Sequence, residues 1–446
     1  MGRRPLARIG TSDDVRPARR CPVQSLTTRL HPVGGAEDHE TYNPATKSVD
    51  VTSGLRPAPS GRRQSLLASV AHMGLEAVRV VADRFDHRSA VPRTIEGVDR
   101  DYLSRLLGVE VTGVKPVDVT SGTTDRARLL LDSPGSDVPG SVFVKIAPTK
   151  TVTRIFTNLS NLGRSELGFY RDVSPGLDIE APAVVALDCD PRTKRFTIVI
   201  EDLTTRDARF TDTVGGVTLP EAEAVVDTLA KLHGTFWDSP RLADPGPGGL
   251  AWVTTNSGDP QLPIVQKALV AAGRKVAKDH LEYVPREGAK ILARYLAVAD
   301  ELDAGRHTLL HGDPHPGNVY FIDAAPSSGA GLRGGLFDWQ VLRRGNGTRD
   351  LTYFLVLGLD TDQRRQHGEA LLARYRDGLA RAGGPTLDPD RQWLDVRKMA
   401  AYAYVSAVFA AAFAGLQAEP VTTSGLAKSS AALKDLDSGT AITCLA

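Results

Sequence analysis

The chain has 446 residues, of which 41% are hydrophobic and 24% are charged, as in ordinary folded proteins. Its 54 Lys and Arg residues nearly balance its 53 Asp and Glu residues, and a net charge of +1 gives no support for nucleic acid or a membrane surface as the main partner. The three cysteines are too few and too scattered for a disulfide framework or a zinc motif, which predicts a reducing cytoplasm as the location.

Residues 1–63 are rich in Arg, Pro, Gly, Ser and Thr and contain few bulky apolar side chains. Such a segment buries too little apolar surface to offset the entropy lost on ordering, so we expect a disordered N-terminal tail. The basic start "MGRRPLARIG" is not followed by an apolar run, so a secretory signal is not predicted.

Residues 64–200 are expected to form a small, sheet-rich lobe. A helical pattern begins with "SLLASVAHMGLEAVRVVADRF", and a second short helix follows. Three strands are then predicted between residues 111 and 147, a helix at "RSELGFYRDV", and two further strands at "APAVVALDCD" and "RFTIVIEDL".

Residues 201–446 are expected to form a larger lobe in which helices dominate, apart from residues 308–342. Strands followed by helices favour the α+β class over a doubly wound parallel sheet. The apolar stretch from Ala400 to Leu416 is rich in alanine and shorter than the roughly 20 residues of a membrane span. It predicts a buried helix and no membrane span.

The segment "HGDPHPGNVYF", His311 to Phe321, reads as a rigid loop that leads into a strand, because prolines and glycines are dense before the apolar residues. A connector rich in Gly and Ser separates this strand from "LFDWQ", which predicts an antiparallel hairpin. The start of the first strand, Asn318, should then lie beside the end of the second, Asp338. Asp313 precedes Asn318 by five residues on the same loop.

These residue types suit phosphoryl transfer. Oxygen ligands from Asn318 and Asp338 suit Mg²⁺, which takes few protein ligands and keeps places for water and phosphate. A nearby carboxylate, Asp313, could accept a hydrogen bond from a hydroxyl nucleophile. The phosphates also need positive charge; Lys145 in the apolar strand "VFVKIAP" is a candidate, with Glu166 as its partner.

The chain resembles the aminoglycoside phosphotransferase and choline-kinase-like enzymes, distant relatives of the protein kinases, in six motifs that occur in the same order. The motifs are "VFVKIAP", "SELGFYRDV", "IVIEDL", "LAKLHGTFW", "LLHGDPHPGNVYF" and "DWQ…RDLTYFL". They are most similar to the ecdysteroid-kinase-like branch, over about residues 90 to 415. The resemblance implies a bilobal, protein-kinase-like fold with a nucleotide in the cleft between the lobes.

The resemblance also implies roles for single residues. Asp313 matches the catalytic aspartate, Asn318 and Asp338 match the magnesium ligands, and Lys145 with Glu166 matches the lysine–glutamate pair. Further positions match a nucleotide-positioning loop (Ser121, Gly122, Thr123), the hinge that meets adenine (Glu201, Asp202, Leu203) and a buried aspartate that braces the catalytic loop (Asp350). The nucleotide-positioning loop holds one glycine, Gly122, where protein kinases have three. No activation loop follows "DWQ". These differences argue against a protein substrate.

The expected activity is ATP- and Mg²⁺-dependent phosphorylation of a hydroxyl group on a small molecule. Two acceptor classes stay open: an apolar, sterol-like alcohol and an antibiotic such as an aminoglycoside. The helical lobe lacks an acidic cluster for a polycation, which favours the apolar class. Two alternatives are an inactive nucleotide-binding protein and a metal-dependent hydrolase. The latter would use the H-x-D-x-H spacing of His311, Asp313 and His315, although Pro314 and Pro316 interrupt that segment.

Overall fold

A computed structural model of the chain describes residues 66–135, 138–323, 331–412 and 417–445. The tail predicted to be disordered, residues 1–63, lies outside these residues. Within them, a sheet-rich N-terminal lobe leads into a mostly helical C-terminal lobe, which confirms the predicted bilobal α+β architecture. The predicted division at residue 200 stays a prediction, and the last strand of the first sheet ends at Glu201.

The N-terminal lobe is built on five strands in the spatial order β1-β2-β3-β5-β4, and every neighbouring pair is antiparallel. The strands are β1 (Gly113–Ser121), β2 (Asp125–Asp132), β3 (Ser141–Ile146), β4 (Val184–Asp190) and β5 (Arg195–Glu201). Two helices precede the sheet and two connect β3 to β4: α1 (Leu66–Asp83), α2 (Arg100–Leu107), α3 (Thr151–Leu159) and α4 (Leu162–Gly168).

Alternation along β3 decides which side chains face the cleft. Val142, Val144 and Ile146 are fully buried in a core that they share with α2. Successive side chains of a strand point to opposite faces, so Lys145 projects from the other face, towards α4 and the C-terminal lobe. Asp99 starts α2 by accepting a hydrogen bond from the Tyr102 amide, as a helix cap does.

The C-terminal lobe contains nine described helices: α5 (Leu219–Thr235), α6 (Leu262–Asp279), α7 (Arg286–Ala293), α8 (Tyr295–Leu302), α9 (Thr348–Gly358), α10 (Thr361–Arg381), α11 (Pro389–Ala412), α12 (Glu419–Asp435) and α13 (Ser438–Ala441). Its strands are β6 (Arg209–Phe210), β7 (Thr308–Leu310), β8 (Val319–Ile322), β9 (Arg333–Leu336) and β10 (Arg343–Gly345). They form a three-stranded sheet, β6-β8-β9, and a ribbon of β7 with β10.

The apolar stretch predicted as a buried helix corresponds to the second half of α11, whose residues Ala400, Ala403 and Tyr404 are fully buried. Residues 413–416 lie outside the described part. Among the helices that the structure describes, none combines the length and the apolar character that crossing a membrane requires.

Glu301 on α8 fastens the C-terminal segment to the lobe. It accepts hydrogen bonds from the amides of Thr443 and Cys444, both at 2.9 Å, and lies 2.7 Å from the Lys398 ammonium. Burial alone would raise the pKa of Glu301, but Lys398 and the two amides lower it from 4.5 to about 2. The ionised carboxylate therefore stabilises the folded chain.

We expect Glu301→Gln to lower the free energy of unfolding at pH 7 by roughly 1–2 kcal/mol, after allowance for solvent screening. Because the folded-state pKa lies below the unfolded one, this contribution is complete above about pH 4.5 and disappears as the pH falls towards 2. Urea unfolding of both proteins between pH 3 and pH 7 tests this. The control is Glu282→Gln, whose side chain is 62% exposed. A difference that does not shrink at low pH would contradict the assignment.

Candidate active site

The hairpin of β8 and β9 brings together the two residues that the sequence placed at its ends. Val319 pairs with Leu336, and one step further the Phe337 amide donates to the Asn318 carbonyl at 3.1 Å. Asp338 is the next residue, so it lies beside Asn318. Its backbone has a positive φ of 66°, a conformation that costs energy outside glycine and often marks functional sites.

The loop between β7 and β8 is held by two contacts to Gly312. The Gly312 amide donates to both carboxylate oxygens of Asp350 at 3.2 Å, and its carbonyl accepts from the Tyr402 hydroxyl at 2.7 Å. Gly312 has a φ of +86°, and an added Cβ would lie 1.9 Å from the Val341 carbonyl oxygen. Only glycine fits this position, and the predicted bracing contact of Asp350 is present.

The charge of Asp350 is stabilised by its surroundings. Burial alone favours the neutral acid, but the neighbouring His233 and Arg349 hold the pKa of Asp350 below its ordinary value. The carboxylate is thus ionised at neutral pH, which strengthens its hydrogen bonds to the Gly312 amide.

His311 connects the loop between β7 and β8 to Phe337, the residue before Asp338, by a hydrogen bond. Its Nε2 donates to the Phe337 carbonyl at 2.9 Å, and its Nδ1 accepts from the Asp313 amide at 3.3 Å. Burial lowers the pKa of His311, so the ring is neutral with its proton on Nε2. Both ring nitrogens are engaged with backbone groups, which argues against the H-x-D-x-H metal site. The described residues contain no group of three or more His, Cys, Asp or Glu side chains arranged to hold a metal ion.

Asp313 sits at the mouth of the cleft with its side chain 32% exposed. Its Oδ1 accepts from the Tyr353 hydroxyl at 2.7 Å, and its Oδ2 lies 3.3 Å from Asn318 Nδ2 and 3.8 Å from His315 Nε2. Desolvation raises the pKa of Asp313 above its ordinary value, although His315 and the Tyr353 hydroxyl oppose this. The site therefore holds a carboxylate that is more basic than one in water.

The Lys145 side chain extends from β3 of the N-terminal sheet to Asp338 at the end of the hairpin. It is buried, and its ammonium lies 2.7 Å from Glu166 Oε1 and 2.9 Å from Asp338 Oδ1. Burial disfavours the charge, but the two carboxylates more than compensate and raise the pKa of Lys145. The same ammonium lowers the pKa of Asp338 against the effect of burial. For Glu166, burial prevails and raises the pKa to about 7.

Gln340 joins the N-terminal loop to this cluster. Its Nε2 donates to Asp338 Oδ1 at 2.5 Å, and its Oε1 accepts from the Thr123 hydroxyl at 2.9 Å. The predicted loop residues Ser121, Gly122 and Thr123 thus connect β1 to β2 directly above the hairpin. The sequence motif "DWQ" contains this glutamine, but sequence reasoning gave it no role.

The predicted hinge residues occupy the connection between β5 and the C-terminal lobe. The Glu201 amide donates to the Ala183 carbonyl at 2.8 Å. The buried Asp202 carboxylate accepts from the Ser141 hydroxyl and from the Thr204 amide. Asp202 therefore fixes the hinge with its side chain, and Leu203 follows it in a short 3-10 helix.

Two aromatic rings that sequence reasoning missed complete the cluster. Trp339 is fully buried and stacks on Phe169, with ring centroids 3.7 Å apart and planes 5° apart, while the His311 ring lies 4.5 Å from Trp339. Phe169 begins a π-helical turn directly after α4. The stack thereby links the helix of Glu166 to the loop of Asp313.

The sequence from residue 118 to residue 394 matches the model of the phosphotransferase enzyme family. The match covers more than half of the chain. The chain belongs to this family. The predicted membership in the aminoglycoside phosphotransferase and choline-kinase-like group is therefore confirmed. The prediction that the protein is a phosphotransferase is confirmed with it. The narrower ecdysteroid-kinase-like branch stays a prediction.

Solved structures provide three further similarities. Amicoumacin kinase hAmiN, in complex with AMP-PNP, Ca²⁺ and Ami, is 14% identical, with a TM-score of 0.47 over 77% of this chain and 94% of that chain. Choline kinase LicA from Streptococcus pneumoniae is 16% identical, with a TM-score of 0.43 over 76% and 97%. Aminoglycoside 2'-phosphotransferase-IIIa in its GDP complex is 12% identical, with a TM-score of 0.42 over 75% and 96%. No curated protein sequence matches the chain significantly.

Proposed function

We propose that this phosphotransferase transfers the γ-phosphoryl group of ATP, bound with Mg²⁺, to a hydroxyl group of a small molecule. The observation that carries the proposal is the convergence of one buried ammonium, Lys145, with the oxygens of Asp338, Asn318 and Asp313 at the junction of the two lobes. We assign the reaction to the cytoplasm.

Asn318 and Asp338 are the proposed magnesium ligands, and the orientation of their side chains fits this role. Asn318 uses Nδ2 to donate to the Asp313 carbonyl at 2.9 Å, which leaves its amide oxygen as the candidate ligand. Asp338 Oδ1 accepts from Lys145 and Gln340, which assigns its other oxygen to the metal. Both ligands are hard oxygens. Bound Mg²⁺ would neutralise charge on the nucleotide phosphates.

Lys145 and Asp313 have complementary tasks in this proposal. Lys145 remains charged in its buried position and offsets negative charge on the phosphates, an electrostatic effect that is strong where water is excluded. Asp313 accepts a hydrogen bond from the acceptor hydroxyl through Oδ2, whose hydrogen bond from Asn318 Nδ2 is long at 3.3 Å, whereas Oδ1 accepts from Tyr353 at 2.7 Å. In a loose transition state the hydroxyl proton leaves late, so Asp313 mainly orients the nucleophile and then receives its proton.

The nucleotide is proposed to lie between the loop of Ser121, Gly122 and Thr123 and the hinge. Thr123 reaches the hairpin through Gln340, so this loop is close enough to cover the phosphates. At the hinge, the Glu201 amide is already paired within the sheet. We therefore assign the adenine contact to the backbone that follows, at Leu203.

The acceptor is proposed to be a neutral alcohol that enters beside Asp313. A small pocket there is lined by Thr213, His315, Tyr353, Ser406 and Ala407, among others. Its described lining residues offer hydroxyl groups and small apolar surfaces and include no carboxylate. A polycationic aminoglycoside would find no ionic partner on these walls, which supports an apolar alcohol as the acceptor class.

A screen of sterol-like alcohols, other neutral alcohols and aminoglycosides with Mg-ATP tests this function. The expected result is a product whose mass has gained one phosphoryl group, formed from a neutral alcohol and absent without ATP or with the Asp313→Asn variant. Nucleotide binding without transfer to any acceptor would support the inactive alternative. Transfer to aminoglycosides alone would contradict the proposed acceptor class.

Tyr353 is a positioning residue in this scheme, because its hydroxyl fixes one oxygen of Asp313. Tyr353→Phe should lower kcat about tenfold or more, since a hydrogen bond to a charged group is worth roughly 1.5–3 kcal/mol, while the KM for ATP stays unchanged. The matched control is Tyr404→Phe, which removes a buried hydroxyl that donates to the Tyr283 carbonyl, away from the site. Steady-state kinetics of both variants measure the effect, and an equal loss in both would contradict it.

A further inference from the structure

Helix α1 packs on the N-terminal lobe through polar side chains. Glu76 is 2% exposed and accepts from Lys194 at 2.8 Å and from Asn158 at 3.2 Å. Asp83 is paired with the guanidinium of Arg195, whose two nitrogens lie 3.0 and 2.6 Å from its oxygens. These buried contacts fix the rotation of α1 about its axis, and so decide which face is turned to solvent.

The face turned to solvent is apolar. Leu67 is 81% exposed, Val70 47%, Val78 67%, Val81 49% and Phe85 77%. The four residues within α1 recur at intervals of three and eight residues and lie along one side of the helix, and Phe85 follows two residues after the helix ends. Monomeric proteins rarely leave a continuous apolar stripe of this length in water, and such stripes usually mark an interaction surface.

The apolar residues of α1 are arranged symmetrically about Gly74. Pairs of similar size stand at equal distances on either side: Leu67 with Val81, Val70 with Val78, Ala71 with Ala77, and Met73 with Leu75. An added Cβ at Gly74 would meet nothing within 4 Å. A second helix crossing here could approach closely, as helices do over small residues.

We propose that two copies of this chain associate through α1, with the two helices antiparallel about a two-fold axis at Gly74. In a two-fold interface the same patch serves both partners, so residue i of one copy contacts residue j of the other and the reverse. The pairing about Gly74 fulfils this condition, because Leu67 of each copy meets Val81 of the other. A lipid surface or an unrelated protein would not require this symmetry.

The available area agrees with a dimer. A fully exposed Val, Leu or Phe side chain offers roughly 60–120 Å² of apolar surface. With the exposed Val152 and Phe156 of neighbouring α3, and with each side chain weighted by its exposed fraction, the face offers roughly 260–530 Å² per copy. A stable interface buries about 800 Å² per partner, of which rather more than half is apolar.

Light scattering of the full chain during gel filtration tests the association. The expected mass is twice the 47.8 kDa of one chain, and Val70→Glu with Val78→Glu should reduce it to that of one chain while the far-UV circular dichroism spectrum stays unchanged. The control is Leu281→Glu, at an apolar position that is 70% exposed elsewhere; it should leave the dimer intact. A monomeric chain, or a dimer that survives both glutamates, would overturn the proposal.

Disulfide crosslinking tests the symmetry, in a background with the native cysteines changed to serine. Gly74→Cys should link two chains on mild oxidation, since the two copies of residue 74 face each other. Leu67→Cys alone should not, because its copies would lie roughly 20 Å apart along the helices, whereas Leu67→Cys with Val81→Cys should. Linkage by Leu67→Cys alone would overturn the antiparallel arrangement.

A monomer that binds anionic vesicles through α1, or whose α1 is covered by residues 1–65, would overturn the dimer.

Discussion

Replacing Asp313 with asparagine should lower kcat by about 100- to 10,000-fold, the range that a positioned acid or base contributes, and leave nucleotide affinity nearly unchanged. Asparagine has the shape of aspartate and keeps an oxygen to accept from the Tyr353 hydroxyl, 2.7 Å away in the native chain. Its amide cannot take the proton of an acceptor hydroxyl. The loss therefore falls on the chemical step.

The measurement separates chemistry from binding. Turnover is followed by product mass with an acceptor from the screen, and nucleotide affinity by calorimetry with Mg-ATP. The matched control is Asp323→Asn, which makes the same change at the far end of β8, where the carboxylate is 82% exposed. That variant should behave like the native chain. Near-normal turnover of the Asp313 variant would remove Asp313 from the mechanism.

The hairpin could be predicted from sequence because local rules determine it. Glycine and proline define the loop before Asn318, two short apolar runs define the strands, and antiparallel pairing then brings Asp338 beside Asn318 whatever the rest of the chain does. Lys145 could likewise be singled out, because it is the one charged residue in the apolar run "VFVKIAP" that predicts β3. These features depend on near neighbours in sequence or on a single pairing.

Other parts of the site depend on contacts between distant segments. Tyr353 reaches Asp313 only because α9 packs against the catalytic loop, and Gln340 meets Thr123 only because the two lobes close on each other. Periodicity predicted the first helix, but not that its apolar face would be turned to solvent. That orientation follows from the partners Lys194 and Arg195, which lie more than 100 residues away in sequence.

Replacing Lys145 with methionine should reduce both stability and activity. Glu166 is fully buried beside the ammonium. Removing one partner of a buried ion pair typically costs about 3–5 kcal/mol, because the other must then stay charged without compensation or take up a proton. Turnover should fall as well, by about 100-fold or more, since the phosphates would lose the positive charge of this buried ammonium. The single variant does not show how much of the lost turnover is due to the lost stability.

The double variant Lys145→Met with Glu166→Gln separates them. A neutral glutamine needs no ammonium, so urea unfolding should recover most of the lost free energy, because the remaining partner Asp338 is 19% exposed and partly solvated. Turnover should stay low, since the phosphates still lack their cation. Glu166→Gln alone should keep more activity than either variant without Lys145. Recovery of turnover together with stability would mean that Lys145 serves only the fold, and the proposed contact with the nucleotide would be wrong.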